Sequence, residues 1–291
     1  MQNRTPPRRS AQDHRRGAKT DETAAADGAQ PRGASALSAV HVEIADGARG
    51  GRVATVCHDN ADKLNVIDRD DAEALSAAIR QAGESEVRVI VLRGAGERAF
   101  IGGADIRAMV DLTPDTARPF ITSIHHVCTA IRRAPVPVVA RMSGYCLGAG
   151  LEIAASCDLR VADATAKFGM PEVQIGLPSV IEAALLPRLV GWGRAARLVF
   201  TGETIGAEQA RDWGLVDTLV PVGELDDALA RVVDMICAAA PAAIRLQKAL
   251  LRDWEELPLA EAVARSIDRL AEGFADDEPR RRMRDFLNRK R

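Results

Sequence analysis

The sequence predicts an α/β core followed by a helical C-terminal region. Three observations carry that expectation. Several stretches show the two-residue alternation of half-buried strands, two glycine-containing turns each stand between a strand and a helix, and the pattern beyond Ile181 is almost entirely helical.

Taken in order, the chain begins with a segment of a different texture. Residues 2–36 contain no Leu, Ile, Val, Phe, Met, Trp or Tyr. Such a segment buries too little apolar surface to offset the entropy of ordering it, so a disordered tail is expected over residues 1–36. Its arginines (Arg4, Arg8, Arg9, Arg15, Arg16, Arg32) leave a nucleic-acid arm or a targeting peptide as the alternative. From Leu37 onward, His41-Val42-Glu43-Ile44 and Arg52-Val53-Ala54-Thr55-Val56 alternate polar and apolar, as strands do. Asp68 introduces a helix over residues 71–81, with Ala74, Leu75, Ala78 and Ile79 on one face and Gly83 as its stop. Residues 87–92 form a β-branched strand that ends in Gly94-Ala95-Gly96. Strand and helix alternate again through residues 136–140, 147–156 and 159–162, and no sequence repeat is evident. The expected organisation is a tail over 1–36, an α/β core over 37–225 and a helical region over 226–291.

Composition narrows the function classes. Of 291 residues, 47% are hydrophobic and 27% charged, ordinary values for a globular protein. The formal net charge of −2 supplies no bulk attraction to nucleic acid or to an acidic membrane surface. No apolar run approaches the roughly 20 residues needed to span a bilayer, and no apolar core of a secretory signal opens the chain, so a cytoplasmic location is expected. The five cysteines (Cys57, Cys128, Cys146, Cys157, Cys237) form no Cys-x-x-Cys pair, and the five histidines have no zinc-ligand spacing. No metal site is expected, and His125 and His126 should point to different faces of a helix.

Chemistry concentrates in two turns and three acids. Ile101-Gly102-Gly103-Ala104-Asp105 and Gly144-Tyr145-Cys146-Leu147-Gly148-Ala149-Gly150 each follow a strand and open a helix, where backbone N–H groups and the helix dipole favour negative charge. Neither continues into the Gly-Lys-Ser/Thr of a phosphate loop. Glu152 lies in the apolar run Gly150-Leu151-Glu152-Ile153-Ala154-Ala155, and a buried carboxylate is costly unless it is paired or used. Glu172, after Phe168-Gly169-Met170-Pro171, and Glu182, in Ser179-Val180-Ile181-Glu182-Ala183-Ala184, are further acids in apolar settings.

The order of these blocks resembles the crotonase (enoyl-CoA hydratase/isomerase) superfamily over residues 40–291. Phe100-Ile101-Gly102-Gly103-Ala104-Asp105-Ile106 is similar to its first signature, and residues 144–152 to its second. Ala155-Ser156-Cys157-Asp158-Leu159-Arg160 and Lys167-Phe168-Gly169-Met170-Pro171-Glu172 match the next two blocks, and Trp213-Gly214-Leu215-Val216-Asp217 a later one. The resemblance implies a spiral of ββα units with a helical trimerisation region, assembled as a homotrimer or a dimer of trimers. It implies oxyanion-hole amides at Ala104 and Ala149, and hydratase glutamates at Glu152, acting on water, and Glu172, acting on the Cα proton. It places coenzyme A along Lys63 and Leu64, continuing past Ala104, Asp105 and Ile106. The implied reaction adds water to the 2,3-double bond of an enoyl-CoA, without a metal or redox cofactor, with a double-bond isomerase as the rival. An apolar neighbourhood of Val173, Ile175 and Leu177 is expected to keep Glu172 protonated at rest. Three departures stand out. Ala149 replaces a glycine of the second turn, residues 179–184 replace a glycine-rich run beside the acyl pocket, and Pro279-Arg280 stands where Glu-Gly is usual.

Overall fold

The structure, a computed structural model, describes residues 39–289. The expected tail over residues 1–36 lies outside them. Strands β1 (Ala39–Asp46) and β2 (Arg52–Asp59) pair antiparallel, Ala39 opposite Asp59 and Asp46 opposite Arg52. Ala54, Val56 and His58 alternate into the core from β2, as the sequence pattern demands. Helix α1 (Arg69–Glu84) opens on a capping box: the Asp71 N–H donates to the Asp68 carboxylate, and the Asp68 N–H donates to Asp71. Leu75, Ala78 and Ile79 are buried as expected, but Ala74 is exposed, because a step of 100° per residue carries it off that face. Gly83 does not stop the helix. It is small because Pro135 packs on it, and a Cβ there would lie 3.0 Å from the proline ring.

The next elements come as two strands and then a helix. β3 (Val87–Gly94) and β4 (Ala99–Ile101) precede α2 (Ile106–Met109) and α3 (Pro114–Arg133). β5 (Val138–Met142) and β6 (Tyr145–Leu147) precede α4 (Ala149–Ser156). β7 (Leu159–Asp163) and β8 (Lys167–Gly169) precede 3-10 turns at Pro171–Ile175 and Ile181–Leu185, then α5 (Leu186–Val190) and α6 (Trp192–Thr201). The chain continues through β9 (Thr204–Gly206), α7 (Ala207–Asp212), β10 (Thr218–Val220), α8 (Leu225–Ala238), α9 (Pro241–Glu256), α10 (Leu259–Glu272) and α11 (Glu278–Arg289). β9 and β10 correct the expectation of an almost wholly helical stretch after Ile181. At three residues each, they are too short to show a period.

The first strand of each pair enters one sheet, of order β1-β2-β3-β5-β7-β10, and the second enters another, of order β4-β6-β8-β9. Successive ββα units thus stack side by side as a spiral. The pairings from β2 through β10 in the large sheet are parallel, as are β4–β6 and β6–β8 in the small one. Both faces of β3 are covered, which is why Val89 to Leu92 read as a continuous apolar run. Ile90 and Leu92 face the main core, while Val89 and Val91 face α8 through Val232 and Val233. The buried Arg141 guanidinium on β5 donates to Asp226 on α8 at 2.6 Å and to Glu97 at 3.0 Å, tying that helix to the sheet. No helix among the described residues is long and apolar enough to cross a membrane.

Candidate active site

Three neighbouring strands of the small sheet run into the three segments that the sequence marks. β4 leads into residues 102–105, β6 into residues 148–152, and β8 into the turn Pro171–Ile175. Their ladders pair Ile101 with Cys146 and Leu147 with Gly169, so the C-terminal ends of all three strands are adjacent.

In the first turn, Gly102 N–H donates to Leu64 O and Asp105 N–H to Ile67 O, both at 2.9 Å. In the second, Gly148 N–H donates to Gly169 O at 2.9 Å, while the Leu151 and Glu152 N–H groups return to Gly148 O at 2.8 and 3.0 Å. The N–H groups of Ala104 and Ala149 find no acceptor among the described residues, and both alanines line one cavity. Ala149 is the first residue of α4, where an N–H has no intrahelical partner and the helix dipole adds positive potential. The two turns touch: a Cβ at Gly150 would strike the Ile101 carbonyl. Gly148 has φ +52°, and a Cβ there would strike the Glu172 carboxylate. Glycine is needed at that position for both reasons.

Glu152, in the first turn of α4, is 3% exposed. Burial, reinforced by the Glu172 carboxylate and further by Glu182, pushes its carboxyl up to about 8, against the opposing pull of the Ala183 and Val180 N–H groups. Glu172 reaches the same cavity, and the Ser179 hydroxyl donates to its Oε2 at 2.8 Å. Of the expected apolar neighbours of Glu172, Ile175 and Leu177 line the same cavity and Val173 does not, and Val173, Ile175 and Leu177 are 39, 52 and 42% exposed. Burial favours the protonated form of the Glu152 carboxyl.

The structure brings Ala104, Ile106, Ala149, Glu152 and Glu172 around one cavity of about 530 Å³. Met109, Leu112, Phe120 and Ile121 from α2, α3 and their connection, with Leu147 and Val180, give it apolar walls. Lys63, Leu64 and Asp105 do not line it. Leu64 (φ +60°) and Asn65 (φ +53°) fold a tight turn, and Leu64 O receives Gly102 N–H, so this backbone borders the first turn. The buried Asn65 side chain holds it, donating to Ala99 O at 2.8 Å and Ala95 O at 3.0 Å. Asp105 caps α2 by accepting from Arg107 N–H at 2.9 Å.

Sequence reasoning missed Ser179 as the partner of Glu172 and His125 as the partner of Glu182, whose carboxylate accepts from His125 Nδ1 at 2.9 Å. Ser179 lay in plain view seven residues after Glu172. Nothing local announced a pair 57 positions apart. His125 and His126 do part company, since only His125 faces Glu182. Among the described residues, no group of three or more His, Cys, Asp or Glu is placed to hold a metal ion.

Two unengaged backbone N–H groups facing two carboxyls in an apolar cavity are the equipment of an enzyme that forms an oxyanion and moves protons beside it. The chain belongs to the enoyl-CoA hydratase/isomerase family, whose sequence model matches residues 49–291. It is 32% identical to the short-chain-enoyl-CoA hydratase of Clostridium acetobutylicum over 243 residues, covering 83% of this chain and 93% of that one. It is 31% identical to the crotonyl-CoA hydratase of Syntrophomonas wolfei over 230 residues, covering 78% and 88% respectively. The fold is that of the crotonases: the enoyl-CoA hydratase structure from Bacillus anthracis superposes with a TM-score of 0.80 at 26% identity, covering 86% of this chain and 96% of that one.

Proposed function

We propose that the protein is an enoyl-CoA hydratase, a hydro-lyase that converts a 2-enoyl-CoA to the 3-hydroxyacyl-CoA. The observation that carries this is the meeting of the Ala104 and Ala149 N–H groups with Glu152 and Glu172 on one apolar-walled cavity. As water oxygen bonds Cβ, the π electrons move to the thioester oxygen, which the two N–H groups hold as an enolate. Removing one such donor typically costs about 2.7–4 kcal/mol. Collapse of the enolate takes a proton at Cα, and the attacking water gives one up. One charged carboxylate and one protonated carboxyl therefore suffice, and no metal or redox cofactor is required. In this reading Glu152 acts on the water, for which its carboxyl must be charged, and Glu172 acts on the Cα proton. Lys63, Leu64, Ala104, Asp105 and Ile106 are the proposed contacts of coenzyme A.

Assembly as a homotrimer or dimer of trimers belongs to the same reading. Leu259, Val263, Ile267 and Leu270 form a stripe along one face of α10, between 54 and 81% exposed, and further copies of the chain would cover it. The five cysteines are free thiols, which suits the reducing cytoplasm.

The test is turnover of crotonyl-CoA in ¹⁸O water by the wild type, Glu152→Gln and Glu172→Gln. Each amide should lower hydration by at least about 10²-fold, and the double variant by less than the product. Isomerisation of a 3-enoyl-CoA without label at Cβ would overturn the hydratase reading.

A further inference from the structure

The 3-10 turn Ile181–Leu185 departs from the glycine-rich run usual at that place, and its geometry is unusual. Ile181 has φ +38°, a conformation that β-branched side chains avoid and that persists only where its surroundings hold it. Next to it, Glu182 is a carboxylate buried to 8% exposure. On the side facing α4, Val180 shares the cavity wall with Glu152, and the Ala183 N–H donates to Val180 O at 2.9 Å to close the turn. On the side facing α3, both Glu182 oxygens accept from His125 Nδ1, at 2.9 and 3.1 Å. His125 Nε2 lies 3.3 Å from the Thr129 hydroxyl, which fixes the ring from behind. Charged groups that share the cavity with Glu152 are Glu172 and, on α3, Arg118, and Cys128 and Ser156 lie nearer the turn. Burial pushes the Cys128 thiol up, and it sits beside Glu182 and Ser156. The Ser156 hydroxyl also donates to Glu152 O at 2.9 Å. Arg188, on α5 behind the turn, is directed at Glu255 instead.

We propose that Glu182 and His125 are positioning residues for Glu152: their pairing seats the turn that packs on α4 and walls the cavity beside the Glu152 carboxyl. This rests on the hydratase reading for its consequence in turnover, though not for its electrostatics. Glu182→Gln keeps an acceptor for His125 and removes the charge. His125→Ala removes the anchor, while His125→Asn restores a donor near Nδ1.

The experiment is infrared difference spectroscopy of the full chain across pH, with the band of protonated Glu152 identified by its loss in Glu152→Gln. The band should titrate at lower pH in Glu182→Gln than in the wild type, and the ascending limb of the hydration pH profile should move the same way. His125→Ala should lower kcat at least about tenfold with KM little changed, since small misplacement of catalytic groups costs rate. His125→Asn should recover most of it. A Glu152 band that titrates identically in wild type and Glu182→Gln overturns the proposal, as does equal turnover by His125→Ala and His125→Asn. A band that shifts in a protein that hydrates nothing would instead sink the hydratase reading alone.

Discussion

Gly148→Ala tests how the second turn and Glu172 are fitted together. Gly148 combines φ +52° with ψ −121°, a region that a side chain enters only at a cost of about 1–3 kcal/mol. The added Cβ would also fall on the Glu172 carboxylate, which is the free end of a flexible side chain and can swing aside. The fold should therefore survive with a melting temperature lowered by about 2–4 °C per kcal/mol. The reaction should not, because a displaced Glu172 leaves Ser179 and its place opposite Glu152. The expected loss in hydration rate is that of an absent proton-transfer group, about 10²–10⁴-fold. Gly176→Ala is the matched control: φ is +80° and nothing lies within 4 Å of the new Cβ, so it incurs backbone strain alone. Both variants are compared by thermal melting and by initial rates with crotonyl-CoA. If folded Gly148→Ala hydrates as fast as Gly176→Ala, Glu172 does not act from the position described.

Further tests address the donor, the buried acid and the exposed helix. Ala149→Gly should keep most activity, and Ala149→Pro should lose it while circular dichroism shows a retained fold, since only proline removes the N–H. The Glu152 carboxyl is raised from an ordinary 4.5 to about 8, so the stability it contributes is complete below about pH 4.5 and is lost as pH rises through 8. Glu152→Gln should accordingly melt above the wild type at pH 9, by up to about 5 kcal/mol of stability, and approach it at pH 4. Ile267→Asp places a charge in the α10 stripe and should shift the proposed assembly toward monomer in light scattering; an unchanged mass would show that this face is not the interface.

The elements most readable in the sequence were those governed by neighbours along the chain. Asp68 announced α1 because a capping box is a three-residue interaction. The β3 run reflected burial on both faces, and the two glycine turns stood where strands give way to helices. What escaped depended on partners distant in sequence. Gly83 read as a stop because its contact with Pro135, across the α1–α3 packing, has no local signature. Val173, Ile175 and Leu177 read as a dry pocket, yet all three stay exposed, even where Ile175 and Leu177 line the cavity. The apolar run around Glu152 did announce the burial that raises its carboxyl.

The three adjacent strand ends of the small sheet have a consequence for how such a protein can diverge. Each of β4, β6 and β8 delivers one working piece, so their lateral pitch is the inter-strand repeat of a sheet, about 4.7–4.9 Å. That pitch is a property of the main chain and is indifferent to most side-chain replacement. Much of the cavity wall comes from elsewhere, from α2, α3 and Val180. Much of the selectivity is thus inherited on parts of the polypeptide other than those that carry the reaction. A lineage can exchange Met109, Phe120, Ile121 or Val180 to admit a different acyl group while the spacing of the donors stays as it was.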